Sequence, residues 1–133
     1  MDVNNCRLQL LDLYFSKYDF TLYRREQEDN YKTGFNIEYA VNRDDSSDVR
    51  VTVNTTVGSA EQSFQLNLQA VGHFKIENAG PEDNVYRQLL KQNTVAIMFP
   101  YIRSQISLLT TQPGMKPVIV PPMNIVALLG ENG

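Results

Sequence analysis

The sequence predicts an α+β chain in which a four-stranded antiparallel sheet precedes a long helix, a proline-rich connecting loop and a short second helix. Three observations carry this. Apolar residues recur at every second position through most of the first two thirds, a period that gives a strand one dry face and one wet face. The period changes to helical spacing after Asn78. Prolines then interrupt the chain from Gln112 to Pro122.

The clearest strand runs from Phe64 to Ile76. Phe64, Leu66, Leu68, Ala70, Gly72, Phe74 and Ile76 are apolar or small, against Gln65, Asn67, Gln69, His73 and Lys75 on the other face. Val49, Val51, Val53 and Val57 repeat the pattern, as do Phe35, Ile37, Tyr39 and Val41. The segments Asn42 to Asp48 and Gly58 to Gln62 are short enough for hairpin connections, so a meander is expected. The first strand is less regular, because its apolar phase shifts after Leu10 and again near Phe15. Each shift exchanges the faces, which predicts bulges or bends at Leu10-Leu11 and Ser16-Lys17.

Gly80-Pro81 followed by Glu82 and Asp83 suits a helix start. Tyr86, Leu89, Leu90, Ile97, Tyr101, Ile102, Ile106 and Leu109 carry the helical spacing to Pro113-Gly114. Pro100 lies inside this run, where it removes a backbone bond and predicts a kink, not a break. The loop from Gln112 to Pro122 holds four prolines and one glycine, and a last helix is expected from Asn124 to Leu129.

With 133 residues, 42% of them hydrophobic, a single domain spanning residues 1–133 with one core is expected. A net charge of -3 gives no basic face for nucleic acid. The one cysteine, Cys6, and a polar start without an apolar leader fit a reducing, cytoplasmic setting, and no run is apolar enough to insert in a membrane. The parts of an enzyme are scarce. A single histidine, His73, on a polar strand face cannot build a histidine metal site, Cys6 lies on another strand, and Glu28-Asp29 and Asp44-Asp45 fall in polar loops. Neither catalysis nor a cofactor is expected.

Apolar material does occur where solvent should be near. The loop carries Met115, Val118, Ile119, Val120 and Met123, and the first strand carries Tyr14 and Phe15. Methionine with aliphatic neighbours suits a promiscuous apolar surface, so a groove is expected between this loop and the edge bearing Tyr14 and Phe15.

The order of elements and three strings resemble the SecB export chaperones. Leu68-Gln69-Ala70-Val71-Gly72-His73-Phe74-Lys75-Ile76 is similar to the family's last strand. Phe99-Pro100-Tyr101-Ile102-Arg103 resembles its helix signature, and Pro121-Pro122-Met123-Asn124-Ile125 through Leu128 resembles the motif opening its last helix. The resemblance implies an ATP-independent holdase for unfolded or pre-secretory polypeptides, built as a homotetramer, a dimer of dimers, with SecA as a partner of export members. It equally implies an alternative, a chaperone or adaptor dedicated to one partner such as the antitoxin of a toxin–antitoxin system. Export members engage SecA with acidic sheet surface, whereas the last strand here carries one charged residue on its polar face, Lys75, among Gln65, Asn67, Gln69 and His73. Holdase activity is therefore expected ahead of coupling to SecA. Assembly is expected because a sheet with two helices leaves more apolar surface than one chain covers, with the bent first strand and the long helix as interface elements.

Overall fold

The structure is a computed structural model and describes residues 5–24, 31–59, 63–111 and 117–120. Four antiparallel strands, β1 (Arg7–Leu22), β2 (Tyr31–Val41), β3 (Asp48–Ser59) and β4 (Phe64–Glu77), form one sheet in the order β1-β4-β3-β2. A helical run follows as α1 (Asn84–Gln88), a π-helical turn (Leu89–Asn93) and α2 (Thr94–Thr110). The expected last helix and most of the proline-rich loop, including Met115 and Met123, lie outside the described residues.

Strands β2, β3 and β4 make the expected meander, but β1 does not continue it beside β2. It pairs instead with the far side of β4, so β4 is a central strand and β1 and β2 are opposite edges. The physical reason lies in β4, whose alternate residues from Phe64 to Ile76 are buried and need partners on both flanks. The Tyr23 and Arg24 amides fix the far end of β1 by donating to the Ser63 carbonyl at 2.7 and 3.1 Å. Strand pairing is set by such long-range fits, which alternation alone does not encode.

The two phase shifts in β1 are bulges, at the positions the sequence predicts. Leu10 pairs with Phe74 and Asp12 with His73, which leaves Leu11 extra; Phe15 pairs with Ala70 and Lys17 with Gln69, which leaves Ser16 extra. With those two residues spliced out, Leu8, Leu10, Leu13, Phe15, Tyr18, Phe20 and Leu22 all lie opposite apolar or small residues of β4 and share their face. The extra Ser16 is not idle: its hydroxyl donates to Gln69 Oε1 at 2.6 Å, and Gln69 Nε2 donates in turn to Asn54 Oδ1 at 2.8 Å across the open face.

The helical run covers the apolar face. Val95, Met98, Phe99, Ile102 and Ile106 on α2 are buried against Val51, Val53, Leu66, Leu68 and Phe74 in one core. Met98 lies directly over Gly72, where a Cβ would come within 3.0 Å of its sulfur and 2.7 Å of Phe74 Cε2. The helix begins at Asn84 instead of Pro81, because the Asp83 carboxylate accepts from the Gly80 amide at 2.8 Å and closes a turn ahead of the helix. Helical geometry then runs unbroken through Pro100. The irregular turn lies upstream, at Leu89–Asn93, where the Lys91 carbonyl accepts the Tyr39 hydroxyl at 2.9 Å and the Lys91 ammonium sits 4.2 Å above the Tyr39 ring. Burial raises the Tyr39 pKa, so the phenol stays a neutral donor there.

Among the described residues one core atom lacks a partner. Thr55 faces the apolar layer between Phe35 and Leu68, and its Oγ1 is buried with no hydrogen bond. A buried hydroxyl without a partner costs about 1–3 kcal/mol. Thr55→Val, close to it in shape, is expected to raise the unfolding free energy by about 1 kcal/mol in urea titration, with an unchanged denaturant slope.

Candidate functional site

The segment after the helix is drawn onto α2 by its own backbone. The Val118 amide donates to Thr110 Oγ1 at 2.8 Å, Ser107 Oγ donates to the Val118 carbonyl at 3.2 Å, and Arg103 Nε donates to the Val120 carbonyl at 2.8 Å. From the sheet, the Tyr31 hydroxyl donates to the Ile119 carbonyl at 2.6 Å. Successive carbonyls alternate in direction, as in any extended chain, so the side chains alternate too. Val118 and Val120 turn into the core, and Ile119 turns out and is 69% exposed.

The residues singled out in the sequence are therefore not one constellation. Val118 and Val120 belong to the core. Tyr14 and Phe15, as neighbours on a strand, face opposite sides of the sheet. The Tyr14 ring meets His73 edge-on at 6.3 Å on the helix-free face, while the Phe15 ring stacks on Tyr18 at 5.5 Å on the helix side. The described part of the loop, residues 117–120, reaches Tyr31 on β2, the edge opposite β1 that carries Tyr14 and Phe15, while Met115 and Met123 lie outside the described residues. Ile119 is the described loop residue that remains available to a ligand.

What Ile119 borders is a groove of about 520 Å³ along the outer side of α2, lined by Pro100, Arg103, Ser104, Ser107, Leu108, Thr111, Ile119 and Val120. Pro100, Ser104 and Leu108 follow each other at intervals of four on the side of the helix away from the core, and Leu108 is 66% exposed. Reading the apolar period of the helix as core overlooks them. The available signal was the near-absence of charge: from Thr94 to Thr110 the one charged residue is Arg103, although one side of the helix faces out.

The residues weighed for catalysis stay apart. Cys6 Sγ lies 3.2 Å from the Asn78 carbonyl beyond the end of β4, while His73 is five positions away on the same strand, a distance of about 17 Å. Asp45 accepts from the Ser47 hydroxyl and amide, which hold its carboxyl below the usual range, as in a solvated turn. Glu28-Asp29 lies outside the described residues. Among the described residues no group of acidic, histidine or cysteine side chains could hold a metal ion, and no helix is long and apolar enough to cross a membrane. A second, smaller cleft of about 280 Å³ on the open face is lined by Ala40, Val41, Asn42, Asp48, Val49, Arg50 and His73. That face mixes both signs of charge. Arg7, Lys17, Lys32, Arg50 and Lys75 are matched by Asp12, Asp19, Glu38, Asp48 and Glu77 at alternate strand positions.

Comparison with known proteins adds the family. The family model described as preprotein translocase subunit SecB matches residues 10–132. An uncharacterized protein of Methanocaldococcus jannaschii is 29% identical over 95% of this chain and 84% of its own length. The protein-export protein SecB of Neisseria meningitidis is 35% identical over 61% of this chain, and the match spans about half of that protein, 54%. Among solved structures, the Mycobacterium tuberculosis Rv1957 SecB-like chaperone, in complex with a ChAD peptide from the HigA1 antitoxin, superposes with a TM-score of 0.75 at 14% identity, covering 88% of this chain and 91% of that one. A Streptococcus agalactiae protein of unknown function follows at a TM-score of 0.61 and 13% identity, over 87% and 98%. The strand-then-helix architecture and the family match along nearly the whole sequence agree, and the chain belongs to the SecB family.

Proposed function

We propose that this protein is a nucleotide-independent cytoplasmic holdase that binds unfolded polypeptide segments in the groove between α2 and the Pro117–Val120 segment. The observation that carries the reading is the placement of Ile119 and Leu108, two aliphatic side chains in solvent on the rim of one groove, with the segment around Ile119 fixed by four hydrogen bonds. A folded protein that spends four hydrogen bonds fixing a segment whose central side chain touches solvent has prepared a contact for something else. Family membership supports a chaperone role, and the SecB-like chaperone of Mycobacterium tuberculosis with a bound antitoxin peptide supports a polypeptide ligand. The charge-balanced open face differs from the acidic docking surface that the resemblance gives to export members, which favours holdase activity over coupling to SecA.

The proposed assembly is a homotetramer, a dimer of dimers, with β1 as one interface and a second, distinct interface pairing the dimers. This edge strand exposes Leu11, Tyr14, Tyr18 and Leu22, more apolar surface than a solvated edge tolerates.

Changing Leu108 and Ile119 together to serine tests the groove. Binding of a permanently unfolded client is expected to weaken by about 1–3 kcal/mol from lost apolar burial, with circular dichroism unchanged because neither side chain belongs to the core. Unchanged affinity in the folded double variant places the client elsewhere.

A further inference from the structure

Ile119 is presented by two peptide planes, and the two are held from different elements. A peptide unit is rigid, so the planes before and after a Cα fix the direction of its Cβ. The plane between Val118 and Ile119 is held from the helix, where Ser107 Oγ donates to the Val118 carbonyl at 3.2 Å. The plane between Ile119 and Val120 is held from the sheet, where the Tyr31 hydroxyl donates to the Ile119 carbonyl at 2.6 Å. The remaining two bonds, to Thr110 and from Arg103, again belong to α2, so among the described residues Tyr31 is the one sheet residue that bonds the segment. It is a firm support. Tyr31 opens β2, pairs with Ser59 at the end of β3, and packs its half-buried ring against the core. Yet it does not line the groove that Ile119 borders. Any effect of its hydroxyl on a ligand in that groove passes through the Ile119 backbone.

We infer that Tyr31 is a positioning residue for the groove: from outside it, the hydroxyl holds the peptide plane after Ile119 so that the Ile119 side chain stands on the rim before a polypeptide arrives. Without that bond the plane is free to turn, and binding has to order it again. The loss of one ordinary hydrogen bond's worth of ordering corresponds to about fivefold in affinity. This inference rests on the polypeptide-binding reading above and adds how that site is kept ready.

Anisotropy of one fluorescent, permanently unfolded peptide rich in leucine and serine tests it with four full-length proteins: the native chain, Tyr31→Phe, Ile119→Ser and the double variant. Tyr31→Phe keeps the ring and removes the hydroxyl, so circular dichroism should be unchanged while the dissociation constant rises about fivefold. In the Ile119→Ser background the same change should alter affinity by less than about twofold, since no aliphatic group is left to position. A general structural role for the hydroxyl would instead weaken both backgrounds alike. Unchanged affinity in Tyr31→Phe, an equal loss in both backgrounds, or a Tyr31→Phe chain that does not fold overturns the inference while leaving the holdase reading intact. Native-like affinity in Ile119→Ser takes the client out of the groove, and the inference with it. Failure of the native chain to bind the peptide overturns the holdase reading first.

Discussion

Replacing Gly72 by valine is expected to destabilise the fold by about 3 kcal/mol, because the helix has no room to rise. Gly72 lies on the helix-side face of β4, directly opposite Val51 on β3 and Leu13 on β1. A single Cβ there already meets Phe74 Cε2 at 2.7 Å and Met98 Sδ at 3.0 Å. Met98 is flexible enough to absorb one carbon, but the two further methyl groups of valine must displace α2 or force its neighbours off their rotamers. Overpacking of a close-packed core costs about 1–3 kcal/mol, and the position between helix and sheet puts the effect at the upper end. Chemical denaturation of Gly72→Val beside Gly72→Ala measures it. A valine variant as stable as the native chain would mean that α2 is not seated on β4 as described.

The second large effect concerns assembly. Leu11→Asp with Tyr18→Asp on β1 is expected to raise the subunit dissociation constant at least 100-fold, roughly 3 kcal/mol, because truncating central apolar contacts and burying two carboxylates both oppose association. Leu11 and Tyr18 are 53% and 49% exposed, so the monomer itself should fold unchanged. Light scattering is expected to give the native protein about four times the chain mass of 15.2 kDa and the variant a smaller species. A native protein that is monomeric at micromolar concentration removes β1 as an interface.

The strands were legible because burial on one face leaves a period of two, and the bulges because each phase shift in β1 must be absorbed by an extra residue. Leu11 and Ser16 are those residues. The partner of β1 was not legible, since the inward faces of β2 and β4 are similarly apolar and either could receive it. The π-helical turn was invisible too: Leu89 and Leu90 fit a regular helix, and the bond from Tyr39 to the Lys91 carbonyl joins positions 52 residues apart. In the candidate site, Val118-Ile119-Val120 is a uniform apolar string. Only the hydrogen bonds to Thr110 and from Ser107, Arg103 and Tyr31 decide that the valines face in and the isoleucine faces out. Arg103 was read as part of a family string, and its place on the groove wall, bonded to the Val120 carbonyl, becomes visible only in the fold.

The central claim, that the protein holds unfolded polypeptides without nucleotide, is tested most directly by aggregation of denatured clients. Several unrelated proteins, diluted from denaturant into buffer without ATP, should remain soluble at stoichiometric amounts of this protein, as followed by light scattering. Protection should fall in the Leu108→Ser, Ile119→Ser double variant. Protection of none of the clients, or equal protection by the folded double variant, contradicts the account.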